Sequence, residues 1–101
     1  MSDYFEKTVR PHARLSILRL LEDAPRYTSN VSMIVALLHA VGISMTRAQV
    51  EAEADWLAGE GLVVVDRPND QLIVVTATVP GVEIAQGIGH HAGVQRPRPG
   101  V

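Results

Sequence analysis

Six residues carry types and spacings that recognition chemistry can use. Arg47 and Gln49 stand two apart in Thr46-Arg47-Ala48-Gln49. Arg67 and Asn69 stand two apart in the turn-like run Arg67-Pro68-Asn69-Asp70, and Arg96 and Arg98 alternate with proline in Arg96-Pro97-Arg98-Pro99. These groups share the chemistry of double-stranded DNA binding. A guanidinium pairs with a guanine edge, a glutamine amide with adenine, and any arginine with phosphate. Each also has a plainer use. Arg47 and Gln49 suit a helix opening, Arg67 and Asn69 a polar turn, and Arg96 and Arg98 a solvated end or an arm toward a partner groove.

Other chemistries have less to stand on. The chain has no cysteine, which removes disulfides, thiolate zinc sites and a thiol nucleophile. No Ser/His/Asp set, catalytic carboxylate pair, Gly-rich phosphate loop or spaced metal motif is present, so no enzyme activity, cofactor or small-molecule ligand is expected. His90-His91, with His12 or His39, is the one metal candidate. Adjacent histidines without a helical i, i+4 partner fit a solvated end better. The nine Lys and Arg are outnumbered by eleven Asp and Glu, for a net charge of −2. Any DNA contact must therefore come from where the arginines are placed, because no general basic excess attracts phosphate. No cationic leader followed by an apolar run opens the chain, and no apolar stretch nears the roughly 20 residues of a membrane span. The expected setting is the cytoplasm of a bacterial host cell, with no membrane partner.

The elements that must position these residues follow from hydrophobic spacing. Asp3–Arg10 suits a short amphipathic helix, which Pro11 either interrupts or follows as the first turn of the next. The first main helix is expected over Pro11–Ala24, with Leu15, Leu18 and Leu21 on its apolar face and Pro25 as its stop. Arg26-Tyr27-Thr28 reads as a short extended edge, and Ser29 or Asn30 as the cap of a second helix carrying Val31, Ile34, Val35, Leu38 and Val41. Gly42 closes that helix. Thr46 and Gln49 form a capping box for a third, whose buried stripe is Val50, Ala54 and Leu57. Glu51, Glu53 and Asp55 fall to its solvated side, and Trp56, off the stripe, either packs under the following hairpin or anchors a partner. Leu62–Val65 and Gln71–Thr76 flank a Pro/Asn/Asp cluster and read as an antiparallel hairpin. A last helix is expected from Thr78 to about Ile88, weakened by Gly81 and Gly87.

Two units result, a domain over 1–89 and an extended Pro/Arg tail over 90–101. The fold class is mainly α with a small β-hairpin: a three-helix core, the hairpin and a C-terminal helix. The segment from Thr46 to Val65, with its Leu57-Ala58-Gly59-Glu60-Gly61-Leu62-Val63 exit from helix to strand, resembles the recognition helix and first wing strand of the MarR and ArsR families of winged-helix transcription regulators. The whole order, with Ala54-Asp55-Trp56-Leu57 and the Arg-Pro-Arg-Pro end, is also similar to a small winged-helix protein of Mu-like phages and prophages. The resemblance implies a winged helix-turn-helix and a phage or prophage transcriptional regulator. The residues keep a second possibility open. The outward face of the third helix is Ala48, Ala52, Asp55 and Gly59, poor in cations, which suits a protein-interaction or dimerisation module that does not read DNA. The apolar content of Leu15–Leu21 and Ile34–Val41 exceeds what one small core needs, so a homodimer is expected, through the terminal helices as in those families. The small residues Ala48 and Ala52 would also admit a neighbouring helix.

Overall fold

The computed structural model describes residues 3–97. A π-helical turn, Phe5–Val9, runs without a break into α1, Arg10–Asp23. Pro11 explains the wide turn. Proline has no N–H and its ring crowds the carbonyl four residues back. Here the Arg10 N–H reaches five residues back to the Phe5 carbonyl, so the helix absorbs the proline by one widened turn. Pro25 follows the C-terminal end of α1 at Asp23. The connector was expected to be extended, yet Pro25–Tyr27 is a tight 3-10 turn with Arg26 at φ 57° and Tyr27 at φ 58°. Both residues are left-handed because the chain must reverse there before β1, Thr28–Asn30.

Asn30 caps α2, Val31–Ala40, its side chain accepting from the Met33 N–H. Thr46 caps α3, Arg47–Gly59, and both bonds of the capping box with Gln49 are made. Gly61, at φ 76°, lets the chain leave α3 and enter β2 at once. β2, Val63–Asn69, and β3, Leu72–Ala77, pair antiparallel with Val63 opposite Ala77 and Val65 opposite Val75. Pairing extends to Asn69, so the turn is Asp70-Gln71, shorter than the expected Arg67–Asp70 cluster. β1 adds to the other side of β3, giving the sheet order β1-β3-β2. α4 is Val79–Ala85, capped by Thr78 and shorter than expected. Gly81 explains its glycine: a Cβ there would collide with the Leu62 backbone carbonyl.

The described residues thus form four α-helices with a small three-stranded antiparallel sheet. The core takes Ile17, Leu18 and Leu21 from α1, Ile34 and Leu38 from α2, Val50 and Leu57 from α3, and Val75 from β3, all fully buried. Each such side chain contributes about 1.5–3 kcal/mol. Val41, expected on the core face of α2, is 62% exposed instead. Residues 91–97 form no helix or strand, yet they are not a solvated end. Val94 is buried, and the Gln95 N–H donates to the Pro11 carbonyl at 3.1 Å. No helix of the described residues is long and apolar enough to cross a membrane.

Candidate functional site

The start of α3 and the hairpin turn come together, and Arg47 joins them. Its Nη1 donates to Ser32 Oγ of α2 at 2.6 Å, and its Nη2 donates to the Gln71 carbonyl at 3.0 Å. Its Nε lies 3.4 Å from a Glu51 carboxylate oxygen one turn along α3. Gln49 is spent on the capping box, where its Oε1 accepts from the Thr46 N–H at 2.9 Å. The Asn69 side-chain oxygen accepts from the Gln71 and Leu72 N–H groups at 2.9 and 3.0 Å, which builds the turn. Arg67 lies across from α3 and donates through Nη2 to both Asp55 oxygens, at 2.9 and 3.0 Å. The hydrogen bond to Asp55, then its charge, raises the Arg67 pKa above the ordinary guanidinium value.

Four of the six sequence candidates therefore gather along α3 and the hairpin, each already held by a group of its own chain. Arg96 belongs elsewhere. It lines a cleft of about 670 Å³ with Tyr4, His12, Arg19 and Ile43, between the N-terminal helix and the α2–α3 turn. Arg98 lies outside the described residues. Ala48, Ala52, Asp55 and Gly59 are exposed, as helical spacing predicts, and the two carboxylates Glu51 and Asp55 offset Arg47 and Arg67. Each of these two arginines thus has its charge offset by a neighbouring carboxylate, which gives phosphate little to bind.

The strongest polar cluster was placed wrongly from the sequence. Glu53 is not on the solvated side of α3; it is 2% exposed. It accepts from Arg10 Nε and Arg14 Nε of α1, both at 2.7 Å. The hydrogen bond to Glu53 is the main reason the Arg10 pKa rises above its usual value. Arg14 also donates to the Gly93 carbonyl at 3.1 Å, and its guanidinium stacks 3.7 Å from the Trp56 ring centroid. Trp56 is thus packed within its own chain, against α1 and the 91–93 segment. Its ring also meets His91, edge-on at a centroid distance of 5.2 Å. His91 Nε2 meets Glu60 at 2.8 Å, and its Nδ1 accepts from the Gly93 N–H. This polar layer fastens residues 91–95 to α1 and α3. Two signals in the sequence pointed to it. At 100° per residue Glu53 falls only 60° from Val50, on the buried flank. Arg10 and Arg14 share one face of α1 at i, i+4.

The described residues hold no group of three or more His, Asp or Glu side chains suited to a metal. No family model matches the chain, and no solved structure matches it. It is 41% identical over 86 residues to the protein described as uncharacterized protein gp26 of Escherichia phage Mu, which covers 85% of this chain and 88% of that protein. With that identity across nearly the whole of both chains, this protein belongs to the family of phage Mu gp26.

Proposed function

We propose that this phage-family protein is a winged-helix module that docks onto protein and does not read DNA. The helix order, with α3 leading directly into the β2–β3 hairpin, supports the winged-helix part of that reading. One observation carries the rest. Every described candidate for base or phosphate contact on α3 and the hairpin is committed internally: Arg47 to Ser32, Glu51 and Gln71, Gln49 to its cap, Arg67 to Asp55, and Asn69 to its turn. A DNA-reading surface presents unpaired cations, and this one neutralises them.

The regulator reading keeps one specific observation in its favour. Arg47 and Arg67 are exposed enough for their pairs to open cheaply in water, and Arg47 sits where α3 meets the hairpin turn. A titration of random and phage promoter DNA at low salt, with wild type and Arg47→Ala, separates the two. The docking reading expects no binding, or identical weak curves for both proteins. Salt-sensitive binding that loses about 1–3 kcal/mol in Arg47→Ala would put the DNA regulator first.

A further inference from the structure

We infer that the cleft between the N-terminal helix and the α2–α3 turn receives an acidic, aliphatic peptide segment of a partner protein; this rests on the protein-docking reading above and names its site. The chain pairs most of its cations internally: Lys7 with Asp3, Arg10 and Arg14 with Glu53, Arg47 with Glu51, and Arg67 with Asp55. Among the described residues, Arg19, Arg26 and Arg96 have no carboxylate partner and no side-chain hydrogen bond. Two of those three, Arg19 and Arg96, line this cleft; His12 is also in its wall, and no described Asp or Glu is. In a chain of net charge −2, the hollow keeps positive charge that nothing beside it neutralises, which attracts a carboxylate.

The fold holds these groups in place. Thr8, His12, Leu15 and Arg19 recur at i, i+4, i+7 and i+11, so one face of the N-terminal helix forms a wall. Val41 and Ile43, in the turn after α2, form a second. The third side is the run from Gln95 to Pro97. Val94 is buried, the Gln95 N–H donates to the Pro11 carbonyl, and Pro97 packs beside Gly87. The backbone on both sides of Arg96 is therefore anchored, while its side chain is exposed at the rim.

Length and lining select the occupant. The helix from Thr8 to Arg19 covers about 16 Å at 1.5 Å per residue, the reach of about five extended peptide residues. A small free anion touches one end of that wall, whereas an extended chain follows all of it. Leu15, Val41 and Ile43 give the cleft an aliphatic lining, which a leucine, isoleucine or valine side chain fills. Single-stranded nucleic acid binds on rows of stacked aromatic rings, and the described lining offers one large ring, Tyr4. The volume, about 670 Å³, is that of an ordinary ligand site. A peptide carboxylate on Arg19, which is half-buried, is less hydrated and better held than one on exposed Arg96.

The experiment selects a random heptapeptide display library on the full-length protein. An enriched peptide is then titrated into isotope-labelled protein by NMR, beside a matched control with Asp and Glu changed to Asn and Gln, oligo-dT and a DNA duplex. Enriched sequences should combine Asp or Glu with Leu, Ile or Val, and shifts should map to α1 and residues 41–44 and 95–97. Arg19→Gln should weaken binding about tenfold, Arg96→Gln about threefold, and the pair about 30-fold. Val41→Asp, at a position 62% exposed, should abolish binding with an unchanged circular dichroism spectrum, because it sets a carboxylate among the cations. The inference is overturned if nothing is enriched, if the amide control binds as well, or if Arg96→Gln and Arg19→Gln bind like wild type. Shifts that map elsewhere overturn it too, as does oligo-dT or duplex taking the cleft in preference to peptide. Loss of the cleft alone would leave docking through another surface standing. DNA binding lost in Arg47→Ala would overturn the docking reading itself, whatever the cleft holds.

Discussion

Glu53→Gln should be among the most damaging single-atom changes available to this protein. The substitution keeps the shape of the side chain and removes its charge. One amide oxygen can still accept from one arginine, but the amide NH₂ then faces the other guanidinium, donor against donor. The two arginines suffer unequally. The Arg10 side chain is 26% exposed and keeps Glu6 at 3.1 Å, so water and a second carboxylate relieve it. The Arg14 side chain is 9% exposed, between Glu53, the Trp56 ring and the Gly93 carbonyl. Removing one partner of a buried pair costs about 3–5 kcal/mol, and the relief at Arg10 points to the lower end, about 3 kcal/mol. For a domain of this size that lowers Tm by roughly 12–24 °C. The measurement is urea unfolding and thermal melting by circular dichroism, beside Glu51→Gln, whose exposed pair with Arg47 should matter by less than about 1 kcal/mol. Replacing Glu53 by Leu together with Arg14 by Met should recover much of the loss, since a buried pair exchanged for apolar groups is often neutral. If Glu53→Gln costs no more than Glu51→Gln, the argument from a buried, uncompensated charge is wrong.

Two further outcomes follow from close packing. In Gly93→Ala the new Cβ would stand 2.5 Å from Trp56 Cη2, so the Trp56 ring or the 91–95 segment must move; we expect a loss of about 1–3 kcal/mol and a red shift of the single tryptophan's fluorescence. In Gly81→Ala the obstacle is the Leu62 backbone carbonyl, which has no rotamer to escape through, so its loss in urea unfolding should exceed that of Gly93→Ala.

Much of the fold was legible in the sequence because its signals are local. The Thr46/Gln49 capping box, the Asn30 cap, the Val50-Ala54-Leu57 stripe and the hairpin strands are each set by residues a few positions apart. The exposure of Ala48, Ala52, Asp55 and Gly59 follows from the same 100° step. Side-chain partners were a different matter. Arg10 and Glu53 are separated by 43 residues and Arg14 and Gly93 by 79, and no periodicity reports on a contact that distant. The residue types of Arg47, Gln49, Arg67 and Asn69 were plain, but whether those groups were available to a ligand was decided by α2, α3 and the hairpin meeting. The 91–97 segment has no periodic pattern at all, and it is held by Trp56, Arg14 and the Pro11 carbonyl, groups that come near it only once α1 and α3 have packed. Local propensity is written along the chain. A buried charge pair exists only where two helices exclude water from between them, and that exclusion belongs to the tertiary structure.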